Sequence, residues 1–131
     1  MSKNSYKHFQ IKAEFWADHT TNNGIFIRLS DPKSVAAANS YEVNIYDQRS
    51  DPVYGTAATV DFTKVVSTPK ADGKWNTFLI TAKGSNLVVV FNGVQTVNIN
   101  INININDSEF TCGPIALQFG NGLKDAPDGV I

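Results

Sequence analysis

One short stretch of the chain, Tyr41-Glu42-Val43-Asn44-Ile45-Tyr46-Asp47, carries two carboxylates among alternating apolar and polar residues. Because successive side chains leave a strand on opposite faces, Glu42 and Asn44 are predicted to share one face. Asp47 would point the other way in a regular strand, so a β-bulge is needed to bring both carboxylates together. Two carboxylates in one cleft can differ in protonation and act as an acid and a base. The alternative is that both are ordinary surface charges.

Arg28 lies within the preceding predicted strand, 25–29, and is predicted to project from the same kind of polar face as Glu42. A guanidinium there would either form a stabilising cross-strand pair or bind sugar hydroxyls and a developing oxyanion. Phe26 and Tyr46 lie on the faces that carry Arg28 and Glu42, where aromatic rings can stack on sugar rings. Trp75, by contrast, is expected in the core.

The remaining chemistry-bearing residues form weak patterns. His8 and His19 lie too far apart in sequence to suggest a metal pair, and Cys112 is the only cysteine, so no zinc site is indicated. The stretch from Asp125 to Gly129 is favoured as a turn over a calcium loop. We therefore expect no cofactor, while a divalent metal stays an open alternative.

Length and charge limit the class of protein. The 131 residues fit one domain, 1–131. The net charge of −1 offers no cationic surface for nucleic acid, so a nucleic-acid partner is not expected. The longest apolar run, from Leu87 to Phe91, is too short for membrane insertion, and no signal peptide opens the chain. A hydrophobic content of 42% is ample for a packed core.

Alternation with a period of two runs through most of the chain, and helical periodicity is almost absent. Strands are predicted at 9–16, 25–29, 41–46, 56–62, 75–82, 86–91, from 94 onward and at 113–119, with a short helical turn within 33–39. Asn92-Gly93 predicts a tight hairpin, because both residues accept the positive φ of a type I′ turn. Many short strands without crossover helices predict an all-β antiparallel sandwich or jelly roll.

The run from Val97 to Asn106 alternates Asn and Ile without interruption. The pattern satisfies the strand period, with Ile inward and Asn outward, but a slip of two residues would restore it. Such alternation is also found in steric zippers. We favour one long solvent-facing strand over a self-assembly segment.

Several segments follow one another in a characteristic order and spacing. They are Phe9-x-Ile11-x-x-Glu14-Phe15, Asn22 to Arg28, Tyr41 to Asp47, Tyr54-Gly55-Thr56, Lys74-Trp75-Asn76-Thr77, Ile80 to Gly84, Asn92-Gly93 and Gly113 to Gln118. In this arrangement the chain resembles the bacterial 3-keto-disaccharide hydrolase domain family over nearly its whole length. Asn22, Gly24 and Arg28 match the family's Asn-Ser-Gly turn and the Arg that follows it, with Asn23 in the serine place.

The same resemblance covers the family's Glu-x-Gln-Ile-x-Asp strand. Glu42 and Asp47 match it, with Asn44 in the glutamine place. The resemblance implies a concanavalin-like jelly roll with a cleft on the concave sheet. It also implies a hydrolase or lyase acting on 3-keto-glycosides or 3-keto-disaccharides. In such sugars the ketone acidifies the proton on C2, so that a base removes it, the leaving group on C1 departs and water adds.

The resemblance also implies roles for single residues. Glu42 would be the base or acid with Asp47 as its partner, and Arg28 would stabilise the enolate. Asn44 and Asn22 would orient hydroxyls of a carbohydrate substrate. Tyr46 and Phe26 are added as substrate-binding residues, and no metal ligand is assigned.

The family domains usually have further strands before Phe9 and after the Gly129-Val130-Ile131 position, so the domain is predicted to be truncated at both ends. An open sheet edge would then allow homo-oligomers. The family resemblance also implies a periplasmic or secreted location. The competing functions are a non-catalytic carbohydrate-binding module, with Arg28, Glu42 and Tyr46 as its recognition surface, and a self-assembling truncated derivative.

Overall fold

The chain forms a β-sandwich of two antiparallel sheets. The structure, a computed structural model, describes residues 1–48, 51, 53–63, 65, 69–100 and 112–120. Its strands are β1 (Phe9–Ala17), β2 (Asn22–Ile27), β3 (Tyr41–Tyr46), β4 (Lys74–Lys83), β5 (Asn86–Phe91), β6 (Val94–Asn100) and β7 (Ala116–Gly120). A 3-10 helix, Ala37–Asn39, lies between β2 and β3. The predicted all-β sandwich is confirmed.

The larger sheet has the strand order β1-β4-β5-β6. β1 and β4 pair without interruption from Phe9 opposite Ala82 to Ala17 opposite Lys74. The hairpin between β5 and β6 turns at Asn92 and Gly93, whose φ angles of 49° and 83° are those that the predicted tight turn requires. This sheet forms one wall of the core.

The smaller sheet has the order β3-β2-β7 and carries the candidate site. Its strands pair in regular register, so that Phe26 of β2 lies opposite Glu42 on one side and Ala116 on the other. The odd-numbered residues of β2 and β3, among them Ile25 and Val43, pack against the larger sheet. The even-numbered residues consequently project from the outer face.

Aromatic rings fill the space between the sheets. Phe15 stacks on Phe78 with ring centroids 5.1 Å apart, and Phe91 lies 5.2 Å from Phe78. Ile25, Ile27, Val43 and Ile45 of the smaller sheet join the same buried cluster. Burial of these side chains is the main favourable contribution to the fold.

Trp75 corrects one sequence prediction, because it is 65% exposed and does not lie in the core. The neighbouring Asn76 takes the inward position of β4 instead. Its Nδ2 donates hydrogen bonds to the carbonyls of Ala71 and Lys74, and its Oδ1 accepts one from Asn92. A buried amide is tolerated when both its nitrogen and its oxygen have hydrogen-bond partners. Because side chains alternate along a strand, Trp75 then points outward.

One other predicted element differs in the structure. Residues 56–62 form no full strand but follow the edge of β3, with a single bridge between Thr59 and Val43. In the Asn-Ile run, Val97 is buried and Asn98 exposed, as the alternation predicts. Residues 101–106 of that run lie outside the described residues. Within the described part of the chain, no helix is long and apolar enough to cross a membrane.

Candidate functional site

Five of the seven predicted site residues share the outer face of the smaller sheet. The register pairs Asn22 with Tyr46, Gly24 with Asn44, and Phe26 with Glu42. On the other side of β2, Gln118 of β7 lies opposite Gly24. Because directly opposed residues point to the same face, the predicted grouping of Asn22, Phe26, Glu42, Asn44 and Tyr46 follows from the strand pairing.

Glu42 is the most unusual residue of this face, because a carboxyl group here is only 8% exposed. Its side chain leans across Gly24. A methyl group added at Gly24 would lie 2.5 Å from Glu42 Oε1 and 2.9 Å from its Cγ. Gly24 therefore supplies the space that the carboxyl occupies.

The electrostatics of Glu42 follow from this burial. Desolvation, together with the negative charge of Asp61, raises the pKa of Glu42 to about 7. No hydrogen bond from another described residue reaches its carboxyl. A carboxyl with a pKa near neutrality can both donate and accept a proton at physiological pH, as general acid–base catalysis requires.

Asp61 is a site residue that the sequence reasoning missed. The backbone N–H of Val60 donates to the carbonyl of Glu42 at 3.0 Å, which holds the end of this segment beside β3. The Tyr54 hydroxyl donates to Asp61 Oδ1 at 2.8 Å. No local sequence signal marks this position, because only the docking of residues 56–60 along β3 brings Asp61 to Glu42.

Asn44 and Phe26 are both buried on this face. Asn44 Nδ2 donates to the Tyr54 carbonyl at 2.6 Å, so this amide holds the neighbouring segment in place. Phe26 is 1% exposed and packs with Leu29 and Ala116 in a second, smaller hydrophobic cluster. Its ring is covered by protein, and the predicted sugar-stacking role gains no support from this position.

Asn22 and Tyr46 lie at the end of the same face, where both residues are half-buried. Asn22 is paired with Tyr46, and this pair follows the pair of Gly24 and Asn44 along the same face of the two strands. Polar groups that stay partly accessible beside a buried carboxyl are suited to contact a ligand.

Asp47 lies just past the end of β3, and the structure does not join it to Glu42. The register from Tyr41 to Tyr46 contains no bulge. The Asp47 carboxylate instead accepts hydrogen bonds from the Thr56 hydroxyl at 2.5 Å and from the backbone N–H groups of Ala71 and Asp72 at 2.9 Å. It fixes a loop, and the charge that acts on Glu42 is that of Asp61.

Arg28 also departs from the predicted arrangement. It follows β2 with a φ of 52°, in the left-handed region that a side chain other than glycine seldom adopts. Its Nη2 donates hydrogen bonds of 2.7 Å to the carbonyls of Lys7 and Gly84 at one end of the larger sheet. Arg28 is 1% exposed and connects the two sheets, so no contact in the structure supports its predicted enolate-stabilising role.

Metal ligands are not clustered in the described ranges, which contain no group of three or more His, Cys, Asp and Glu side chains. His8 Nδ1 accepts a hydrogen bond from the Gly84 N–H at 2.9 Å. The stretch from Asp125 to Gly129 lies outside the described residues.

The comparison with protein families decides the relationship. Residues 1–126 match the family of 3-keto-alpha-glucoside-1,2-lyase-like domains. The chain belongs to this family. The family resemblance expected from the sequence is thereby confirmed. A comparison with curated proteins gives no significant match.

Solved structures with the same fold include two crystal structures from Parabacteroides distasonis, each described as a putative glycosyl hydrolase. The first is 22% identical with a TM-score of 0.83, and the match covers 92% of this chain and 74% of that one. The second is 15% identical with a TM-score of 0.76, covering 89% and 66%. Carbohydrate binding module CBM66 from Bacillus subtilis is 13% identical with a TM-score of 0.63, covering 91% and 71%. At these identities the likeness shows the shared fold.

Proposed function

We propose that this member of the 3-keto-alpha-glucoside-1,2-lyase-like family cleaves 3-keto-glycosides, with Glu42 as its acid–base group. The observation that carries the proposal is the buried Glu42 carboxyl with a pKa of about 7. It lies on a sheet face with polar neighbours, at the position where the chain matches the family's Glu-containing strand. Family membership over residues 1–126 supports the substrate class.

The proposed reaction is an elimination followed by hydration. A base takes the proton from C2, the electron pair forms a C1–C2 double bond, and the C1–O bond breaks with its electrons going to the leaving oxygen. The neutral Glu42 carboxyl gives its proton to that oxygen; its anion then recovers a proton from the water molecule that attacks C1, and the base returns its proton to C2. Water then adds across the double bond, with hydroxyl at C1 and a proton at C2, which completes net hydrolysis.

Other residues of the face would position the sugar. Asn22 and Tyr46 offer half-buried polar groups two residue pairs away from Glu42. Asn44 and Asp47 support the site through their contacts with the 54–56 and 71–72 segments.

The decisive experiment is release of a chromogenic leaving group from a 3-keto-glucoside. We expect turnover by the wild type and a loss of at least about 100-fold in Glu42→Gln, because the amide cannot exchange a proton. Glu14→Gln is the matched control, since Glu14 is exposed on β1. Equal turnover by Glu42→Gln would remove Glu42 from the mechanism.

A second candidate function is carbohydrate binding without catalysis. The likeness in fold to CBM66 and the row of amide side chains beside Glu42 support it. In that case the wild type would bind glycosides without cleaving them, and Glu42→Gln would only weaken binding. Isothermal titration with 3-keto-glucosides and unmodified glucosides separates the two functions.

Location and self-association complete the proposal. We propose a periplasmic or secreted location on the family resemblance, to be tested by fractionating cells that make the full protein.

Self-association through open strand edges is also proposed, because β6 forms one edge of the larger sheet among the described strands. Light scattering over a range of concentrations would detect it, and a strictly monomeric species would contradict it.

A further inference from the structure

The turn that carries Asp61 is fixed against the strand that carries Glu42. Thr59 forms a bridge with Val43 of β3, and the backbone N–H groups of Phe62 and Thr63 both donate to the Thr59 carbonyl at 3.0 Å. Val60, the residue before Asp61, donates its N–H to the Glu42 carbonyl. The position of Asp61 relative to Glu42 is therefore set by backbone hydrogen bonds and does not depend on a free loop.

The side chain of Asp61 is also held. Asp61 has a φ of 65°, a left-handed conformation that Asp tolerates better than most residues. The Tyr54 hydroxyl donates to its Oδ1 at 2.8 Å, while the Tyr54 carbonyl accepts the Asn44 amide at 2.6 Å. Asn44 stands beside Glu42 on the same face of β3, so Tyr54 links Asp61 back to the site.

The other elements around Glu42 contribute no competing charge among the described residues. β2 offers Asn22, Gly24 and Phe26 on this face, and β7 offers Ala116 and Gln118, none of which titrates. On β3 itself the titratable neighbour on this face is Tyr46. From the segment at the edge of β3 come Tyr54 and Asp61, and Asp61 is the charge that acts on Glu42.

We infer that Asp61, held by Tyr54, is the second carboxylate of the site and that its negative charge adds to the effect of burial in keeping Glu42 as the neutral acid at the start of the reaction. The inference rests on the proposed function for the acid step. It assigns to Asp61 the partner role that the sequence suggested for Asp47. Asp61 acts through Glu42 and is a positioning residue.

The physical basis is repulsion between like charges at a poorly solvated position. Ionising Glu42 beside the Asp61 anion costs more than ionising it alone, so the proton stays on the buried group. The Tyr54 hydroxyl donates to Asp61 Oδ1 and so holds in place the carboxylate that is the more exposed of the two. At the start of the reaction the proton is therefore held by Glu42, from which it can pass to the leaving oxygen.

Direct titration tests the inference without substrate. In protein with 13C-labelled Glu side chains, we expect Asp61→Asn to lower the titration midpoint of Glu42 by about half a pH unit or more. Asn also accepts positive φ, so the turn should persist. Asp72→Asn removes the same charge from an exposed site and should leave the midpoint unchanged. An unchanged midpoint in Asp61→Asn would overturn the inference.

The pH profile of turnover tests the acid role. Activity that depends on neutral Glu42 falls as the pH rises through its pKa, so Asp61→Asn should move this falling limb to lower pH. A shift confined to the rising limb would overturn the acid role. Absence of turnover in the wild type would instead overturn the proposed function and the acid role with it, while titration alone decides the coupling of Asp61 to Glu42.

Discussion

The carboxyl of Glu42 occupies the space that a missing side chain leaves open. Gly24 lies beside it on β2, and the nearest atoms to an added methyl group are three atoms of Glu42. The backbone of Gly24 is not in the left-handed region, so glycine is needed here for room and not for conformational freedom. Gly24 thus determines where the Glu42 carboxyl lies.

Gly24→Ala should displace the Glu42 carboxyl and lower turnover by about 100-fold, because a misplaced catalytic group loses its alignment with the reacting atoms. It should also destabilise the fold by roughly 1–3 kcal/mol through overpacking. Chemical denaturation and turnover measure the two effects. In a Glu42→Ala background the destabilisation should largely disappear, and an undiminished loss there would contradict the contact.

The raised pKa of Glu42 predicts a pH-dependent stability. A carboxyl whose pKa rises from 4.5 in the unfolded chain to about 7 in the fold binds its proton more tightly when folded. Its contribution is fully present below pH 4.5 and is lost as the pH rises towards 7, with a slope of at most about 1.4 kcal/mol per pH unit.

Urea unfolding of the wild type and Glu42→Gln across pH 4 to 8 measures this effect. We expect the stability of Glu42→Gln relative to the wild type to increase with pH. Parallel curves for the two proteins would show that Glu42 does not titrate with a raised pKa.

At the scale of single residues, alternation was enough to place Glu42, Asn44 and Tyr46 on one face. It failed for Arg28 and Asp47, because each lies immediately past the end of a strand, where side-chain direction no longer follows a period of two. The hydrogen bonds of Arg28 and Asp47 are made to partners far away in sequence.

At the scale of elements, Arg28 joins the end of β2 to the larger sheet. Its two hydrogen bonds reach the segment before β1 and the turn between β4 and β5. Without the guanidinium, both carbonyls would lose a charged donor. This contact ties three elements together at one end of the sandwich.

Arg28→Met should therefore lower the free energy of unfolding by roughly 2–4 kcal/mol, because two charge-assisted hydrogen bonds from a buried guanidinium are lost. Urea denaturation measures the change, with Lys12→Met on the exposed side of β1 as the control. Full stability combined with lost turnover would restore the catalytic role that the sequence suggested for Arg28.

The strands themselves were largely predictable, but the segment at the edge of β3 was not. Residues 9–16 and 41–46 alternate, residues 86–91 are a short apolar run before the Asn-Gly turn, and all three strands agree with the prediction within a residue. The sequence predicts a strand over residues 56–62. In the structure the chain turns at Thr59 and pairs with β3 there through one bridge to Val43. The position of this segment depends on its pairing with β3, so the sequence alone did not indicate Asp61 as a site residue.

At the scale of the whole molecule, the sandwich is shared by putative glycosyl hydrolases and a carbohydrate-binding module, so the fold alone does not choose between catalysis and binding. The choice depends on the outer face of the smaller sheet. There, the buried Glu42 carboxyl with a pKa near neutrality is the feature on which the proposed catalysis depends.

The most direct test is an incubation of a 3-keto-glucoside with wild type and Glu42→Gln in D2O, followed by NMR, with an enzyme-free blank to correct for spontaneous exchange. Elimination and hydration predict that the wild type releases a product carrying deuterium at C2, while Glu42→Gln releases neither the leaving group nor labelled sugar above the blank. Release without deuterium at C2, or equal release by Glu42→Gln, would contradict the proposed mechanism.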